Sequence, residues 1–117
     1  MPQVLLVEDD ALVMLLMTKV LRRGGYGFLT AGSGEEALEL CRSGQHTLSL
    51  VISDMVMPGL SGPDWVKEAG STLDDVPVVY MSGYSEDARA AQGLPQEDAD
   101  FLEKPVEISS LLELVRQ

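Results

Sequence analysis

Four sets of chemically capable side chains stand directly after short apolar runs in this sequence. They are the acids Glu8, Asp9 and Asp10, the single acid Asp54, the hydroxyl residue Ser82 and the lysine Lys104. Carboxylate oxygens are the ligands that hard divalent cations prefer, and Mg²⁺ is the cation that fits such a set. A hydroxyl and an ammonium group beside such a cation can hold an anion, and a phosphoryl group fits. The four sets therefore predict a site for phosphoryl chemistry if the fold brings them together.

Each of these residues also has an ordinary structural interpretation. Asp10 is placed to cap the N-terminus of a helix, and Glu8 and Asp9 could be acids favoured by the same helix terminus. Asp54 could finish a turn, and the hydroxyl and the lysine could be a helix cap and an exposed charge. Carboxylates crowded on one edge would repel one another, however, unless a cation lay between them. Taken together, the residues favour a cation site.

The apolar runs predict the strands that must position these side chains. We expect strands at Val4–Val7, Phe28–Ala31, Leu48–Ser53, Val76–Met81 and Asp100–Leu102. The first, third and fourth are almost wholly apolar, which is typical of strands buried on both faces of a parallel sheet.

Segments of helical character separate and follow the strands. The first segment is predicted as a helix because its apolar residues fall on one helical face. They are Val13, Leu16, Met17, Val20 and Leu21. Ser33–Glu36 is a capping box that opens the second helix, and Pro63 fits the first turn of the third. Ser85–Gln92 lacks an apolar stripe and predicts a short or irregular fourth helix, whereas residues 108–115 regain the helical period. Alternating strands and helices imply right-handed crossovers and a doubly wound sheet that binds ligands at its carboxyl edge.

Composition limits the classes of protein to which the chain can belong. Its 117 residues are enough for one domain with its own core, and the net charge of −11 argues against direct binding to nucleic acid. One cysteine, Cys41, excludes an internal disulfide and fits a reducing compartment. No apolar stretch approaches the roughly 18 residues of a spanning helix, and the N-terminus lacks the basic segment of a signal peptide. We expect one cytoplasmic domain over residues 1–117, without membrane insertion.

Four segments of the chain resemble the motifs of two-component response-regulator receiver domains. The segments are VLLVEDD, VISDMVMPGLSG, VVYMSGYS and FLEKP, in the family's order and with similar spacings. The last two look most like receivers attached to hybrid sensor histidine kinases, so fusion to such a kinase is one expectation. The resemblance implies an α/β, flavodoxin-like, doubly wound sheet of five parallel strands in the order 2-1-3-4-5 with five flanking helices.

The resemblance also implies a function and roles for single residues. The domain would be a phosphorylatable switch, not an enzyme with a substrate of its own. Its partner would be a histidine kinase or a histidine phosphotransfer protein, and its cofactor Mg²⁺. Asp54 would accept the phosphoryl group and contact the metal. Asp9 would bind Mg²⁺ directly, Glu8 through water, and Val56 through its backbone carbonyl.

Four further residues match positions that receivers use around the phosphoryl group. Ser82 and Lys104 would hold its oxygens, Phe101 stands at the family's aromatic switch, and Tyr84 stands where receivers tune dephosphorylation and partner contact. Phe101 has no hydroxyl, so a signal that depends on a tyrosine hydroxyl is not expected. The poor fourth helix also argues against a dimer built on helix 4, strand 5 and helix 5.

Two other functions stay open at the level of the sequence. Metal-dependent phosphohydrolases also form an aspartyl phosphate, but they usually carry a second acid two residues after the nucleophile, where this chain has Val56. The other alternative is a receiver-like docking domain that no longer accepts phosphate. The presence of all the residues that phosphorylation requires disfavours it.

Overall fold

The computed structural model describes residues 3–44, 47–82, 101–103, 112, 113 and 115. Its strands are β1 (Gln3–Val7), β2 (Phe28–Ala31), β3 (Leu48–Asp54), β4 (Val78–Ser82) and β5 (Phe101–Glu103). They form one parallel sheet in the order β2-β1-β3-β4-β5. This order confirms the flavodoxin-like, doubly wound sheet that the sequence predicts.

Helices connect the strands where the periodicity predicts them. The structure describes α1 (Ala11–Arg23), α2 (Gly34–Arg42) and α3 (Gly62–Ala69), and a 3-10 turn follows at Gly70–Leu73. Ser33 Oγ accepts a hydrogen bond from the backbone N–H of Glu36 at 3.1 Å, as a capping box requires. None of the helices in the described part of the chain has the length and apolar character needed to cross a membrane.

The last two predicted helices are only partly covered by the described residues. Ser85–Gln92, the expected short or irregular fourth helix, lies outside them. In the C-terminal segment the described residues Leu112, Glu113 and Val115 are helical, in agreement with the predicted fifth helix.

The core consists of two apolar layers, one on each face of the sheet. Alternate residues of β1 and β3, such as Leu6 and Ile52, pack with the inner face of α1. Their neighbours Leu5 and Val51 face the other way and pack with α2 and α3, where Trp65 is the largest buried side chain. This alternation follows from the two-residue period of a strand. At the end of β3, one face of the strand therefore packs toward α1 and the other toward α2 and α3.

The structure differs from the prediction at several strand ends and on one helix face. β1 begins one residue earlier, at Gln3, β4 ends one residue later, at Ser82, and β5 is Phe101–Glu103 rather than Asp100–Leu102. β4 begins at Val78 rather than Val76, because Pro77 has no N–H to donate to the ladder. β3 is one residue longer than predicted and includes Asp54. Leu16, predicted in the buried stripe of α1, is 50% exposed, because the helix turns the face of Met17 and Val20 toward the sheet.

Candidate functional site

The strand register brings predicted acidic residues to one edge of the sheet. Val7 of β1 pairs with Ser53 of β3, so the next residues of these strands, Glu8 and Asp54, come side by side. Asp54 is the last residue of β3 and pairs with Met81 of β4. The acids therefore lie at the carboxyl ends of the central strands, where doubly wound sheets bind ligands.

Three carboxylates converge at this edge. Glu8, Asp9 and Asp54 each offer one carboxylate oxygen, and these oxygens lie within 4.8 Å of one another. Glu8 and Asp54 are buried, with 2% and 7% of their surface exposed, whereas Asp9 is exposed. Carboxylates placed side by side in a buried position are costly unless positive charge offsets their repulsion. Because hard oxygen donors suit Mg²⁺, the set of donors fits a magnesium ion.

Hydrogen bonds show that the neighbouring acids Glu8 and Asp10 have different roles. The backbone N–H of Asp10 donates to Glu8 Oε1 at 3.0 Å, which fixes the direction of the buried Glu8 side chain. The carboxylate of Asp10 accepts from the N–H groups of Leu12 at 2.9 Å and Val13 at 3.3 Å. Asp10 is therefore the N-cap of α1, as predicted, and is not one of the three converging acids.

Two more predicted residues reach the same edge through the backbone. Val56 lies in the loop after β3, and its side chain is 51% exposed. Ser82 ends β4, one residue beyond Met81, and pairs with Glu103 at the end of β5. Ser82 thus directly follows the residue that pairs with Asp54, and Val56 comes two residues after Asp54; the side chain of Ser82 lies outside the described part of the structure.

The remaining predicted residues are not covered at the side-chain level. The backbone of Phe101 belongs to β5 and pairs with Tyr80 of β4, but its side chain lies outside the described part of the structure. Tyr84 and Lys104 lie outside the described residues altogether. Their implied roles stay predictions.

A buried polar pair beside Asp54 is not among the predicted site residues. The indole N–H of Trp65 donates to Ser53 Oγ at 3.0 Å, and the Ser53 hydroxyl donates to the backbone carbonyl of Asp54 at 2.9 Å. The one signal in the sequence is a serine in the buried part of the strand, directly after the apolar residues Leu50–Ile52.

The loop after β3 also has a partner that the sequence does not reveal. Glu35, in the first turn of α2, accepts a hydrogen bond from the backbone N–H of Leu60 at 3.0 Å. The two residues are 25 positions apart in the chain, and no local pattern links them.

Residues 4–116 match the protein family described as response regulator receiver domain. The chain belongs to this family. The receiver domain is 37% identical over 115 residues to the sensor kinase CckA of Brucella abortus (strain 2308), with 97% of this chain and 12% of CckA covered. It is 37% identical over 113 residues to the response regulator protein FleR of Pseudomonas aeruginosa, with 97% of this chain and 24% of FleR covered. It thus spans only a minor part of these longer relatives.

Solved structures agree with this assignment. The crystal structure of the receiver domain from the hybrid histidine kinase CckA matches with a TM-score of 0.81 and 38% identity, over 98% of this chain and 96% of that one. The Vibrio cholerae chemotaxis protein CheY4 matches with a TM-score of 0.79 and 25% identity, over 99% and 97% of the two chains. The predicted family is confirmed: the chain is a receiver domain of two-component signal transduction, similar to a hybrid-kinase receiver.

Proposed function

We propose that this receiver domain accepts a phosphoryl group on Asp54 from a phosphohistidine of a histidine kinase or a histidine phosphotransfer protein. The convergence of the Glu8, Asp9 and Asp54 carboxylates at the carboxyl edge of the sheet carries this proposal. Val56, an apolar residue, stands where a phosphohydrolase would carry its second acid, which favours a switch over a hydrolase.

The transfer uses the carboxylate of Asp54 as the nucleophile. One of its oxygens attacks the phosphorus while the P–N bond to the histidine breaks, and the electron pair of that bond returns to the ring nitrogen. The phosphohistidine ring carries a proton on its other nitrogen, so the products are an acyl phosphate on Asp54 and a neutral imidazole on the partner. Water later attacks the phosphorus, releases inorganic phosphate and restores the carboxylate. The domain is therefore a reversible switch that takes part in its own phosphorylation and dephosphorylation.

Glu8, Asp9 and Asp54 would hold Mg²⁺, and we propose the backbone carbonyl of Val56 as a further ligand. When bound, the ion offsets the charge on the carboxylate and phosphoryl oxygens. The backbone N–H of Asp10 donates to the Glu8 carboxylate and orients it, whereas Asp9 is exposed to solvent.

The family resemblance supports roles for four residues around the phosphoryl group. We assign Ser82 and Lys104 to its oxygens, because a hydroxyl and an ammonium group donate hydrogen bonds to an anion. We assign Phe101 and Tyr84 to the switch that changes the interaction surface after phosphorylation.

The exposed face of α1 supports the proposal that a protein partner docks beside the site. Leu12, Leu15 and Leu16 are all at least half exposed and group on one face of a helix that begins next to the acids. Grouped apolar side chains on a surface indicate a contact with another protein. A partner that brings its phosphohistidine to Asp54 would cover them. We further propose a cytoplasmic location, with which the single cysteine is consistent.

Phosphorylation by a small donor tests the assignment of Asp54. We expect acetyl phosphate with Mg²⁺ to add the mass of one phosphoryl group to the intact protein, and Asp54→Asn to abolish the addition. Asp64→Asn is the matched control, because it makes the same change at an exposed acid of α3. If Asp54→Asn gains the phosphoryl mass as readily as the wild type does, another residue is the acceptor.

A further inference from the structure

We propose that Ser53 and Trp65 are positioning residues that hold the backbone of Asp54 from the opposite face of the sheet. This inference rests on the proposed function, since it takes Asp54 as the acceptor of the phosphoryl group. Neither residue belongs to the acidic cluster, and neither is among the residues that the family resemblance assigns to the site.

Two buried hydrogen bonds connect α3 to Asp54. Successive side chains of a strand point to opposite faces, so the side chains of Ser53 and Asp54 leave β3 on opposite sides. Ser53 enters the layer that contains Trp65, and both are completely buried. The Trp65 indole N–H donates to Ser53 Oγ at 3.0 Å, and the Ser53 hydroxyl donates to the carbonyl oxygen of Asp54 at 2.9 Å. The indole therefore acts on the acceptor through the serine.

The start of α3 presses against the same carbonyl. A Cβ atom on Gly62 would lie 2.5 Å from the carbonyl oxygen of Asp54, so only glycine allows the helix to begin this close. The N–H of Gly62 donates to the carbonyl oxygen of Met55 at 2.9 Å, and the N–H of Met55 donates to that of Met81 at 2.9 Å. The backbone around Asp54 is thus held by α3 and by the neighbouring strand.

Asp54 is the position of β3 where such a restraint matters most. β3 ends at this residue, so the backbone leaves the regular strand geometry soon after it. A nucleophile must nevertheless be held closely in line with its target, because a displacement of about 1 Å can reduce a rate about 100-fold. A hydroxyl and an indole N–H in an apolar layer are costly unless they bind each other. Their pairing directly behind Asp54 gives the polar pair a function that packing alone does not.

A cycle of variants tests the positioning role. The rate of phosphorylation by saturating acetyl phosphate with Mg²⁺ is measured by intact mass for the wild type, Ser53→Ala, Trp65→Phe and the double variant. Ser49→Ala is the matched control, because Ser49 lies on the same strand and its hydroxyl donates to the carbonyl of Gln3 at 3.3 Å, away from the site. Each rate is taken at a temperature where urea titration shows the variant fully folded, so lower stability alone leaves the rate unchanged.

We expect Ser53→Ala to lower the rate about tenfold and Trp65→Phe to lower it less. The double variant should be no slower than Ser53→Ala, because the indole acts only through the serine. If Ser53→Ala and the double variant react at the wild-type rate while Asp54→Asn is still inactive, the positioning role is wrong and the proposed function stands. Phosphorylation of Asp54→Asn would instead overturn the proposed function. Should Ser53→Ala fail to fold, Trp65→Phe decides alone: a wild-type rate contradicts the proposal.

A measurement on the protein without metal or donor tests the hydrogen bond itself. Trp65 is the only tryptophan in the chain, so a nitrogen–proton correlation spectrum contains one indole signal. We expect this proton to exchange with D₂O about tenfold faster in Ser53→Ala than in the wild type. On adding acetyl phosphate and Mg²⁺, the wild-type indole signal should shift. Equal exchange in the two proteins, or an indole signal unmoved by phosphorylation, would contradict a link from Trp65 to Asp54.

Discussion

At the scale of single residues, the loop behind the proposed metal site depends on one carboxylate from another helix. Glu35 accepts a hydrogen bond from the N–H of Leu60 at 3.0 Å. Gly59 has a φ of 78°, and a Cβ atom there would lie 2.9 Å from a carboxylate oxygen of Glu35. Glycine thus both allows the turn and leaves room for the side chain that fastens it. The same loop contains Val56, the proposed carbonyl ligand.

We expect Glu35→Ala to loosen this loop without unfolding the domain. Loss of one exposed hydrogen bond to a charged acceptor costs about 1 kcal/mol, which corresponds to amide exchange at Leu60 about fivefold faster. The Mg²⁺ dissociation constant should rise a few-fold, because the loop carries a proposed ligand. Glu39→Ala removes the same charge from an exposed position of α2 and is the control. Equal effects of both substitutions would assign the change to lost negative charge instead of the bond.

Cys41, the one thiol of the chain, has no comparable role. It is half-buried in α2, and burial raises the pKa of its thiol. The protonated thiol is a poor nucleophile, so the thiol is a weak candidate for covalent chemistry at neutral pH.

At the scale of elements, α1 serves the core and the surface with different faces. Met17, Val20 and Leu21 are buried against the sheet, whereas Leu12 and Leu15 point away from it. The first turn of the helix is capped by Asp10, next to the converging acids. The helix therefore presents apolar side chains at the place where the proposed phosphohistidine partner would arrive.

The substitution Leu15→Ser tests whether the exposed face of α1 binds the partner without taking part in the phosphorylation of Asp54. We expect it to slow phosphoryl transfer from a phosphorylated histidine kinase core about tenfold, because a buried leucine at a protein interface contributes about 1.5 kcal/mol or more. Phosphorylation by acetyl phosphate should stay at the wild-type rate, since the acids are untouched. Lys67→Ala, an exposed change on α3, serves as the surface control. A slower reaction with acetyl phosphate would show that Leu15 supports the site rather than the partner.

The elements were the most predictable part of the molecule, and their boundaries and exposed faces the least. Capping residues such as Ser33 and the apolar period of each segment are local signals, so they predict helices directly. The effect of Pro77 on the strand boundary can be judged only when the pairing of the strands is known, so the sequence did not predict that β4 begins at Val78. Leu16 satisfied the helical spacing yet is exposed, because spacing defines a stripe wider than the sheet covers.

At the scale of the whole molecule, the site exists because distant segments meet. The acidic residues could be predicted from their positions after apolar runs, and the parallel sheet brings them together in the expected way. The link between Trp65 and Ser53 could not, since it depends on how α3 packs on β3. Nor could the bond from Leu60 to Glu35, which joins the loop after β3 to the first turn of α2 with no shared sequence pattern. Long-range side-chain contacts of this kind appear only in three dimensions.

If the three converging carboxylates bind Mg²⁺ as proposed, the stability of the entire domain should depend on the ion. A ligand that binds only the folded state at ten times its dissociation constant stabilises it by about 1.4 kcal/mol. For a domain of this size we expect a rise in Tm of about 5 °C. Chelation of the metal should reverse the rise, and calorimetry with and without Mg²⁺ measures it.

A control with NaCl and one substitution distinguish Mg²⁺ binding at this site from general screening of the surface charge. With a net charge of −11, any salt reduces repulsion across the surface, so the reference is NaCl at equal ionic strength. Asp9→Asn removes one of the three converging carboxylates. It should therefore raise Tm in the absence of Mg²⁺, where repulsion is relieved, and should reduce the further gain when Mg²⁺ is added. Asp64→Asn should respond to Mg²⁺ like the wild type. If Mg²⁺ raises Tm no more than NaCl does, or if Asp9→Asn keeps the full response, the three carboxylates do not form the metal site.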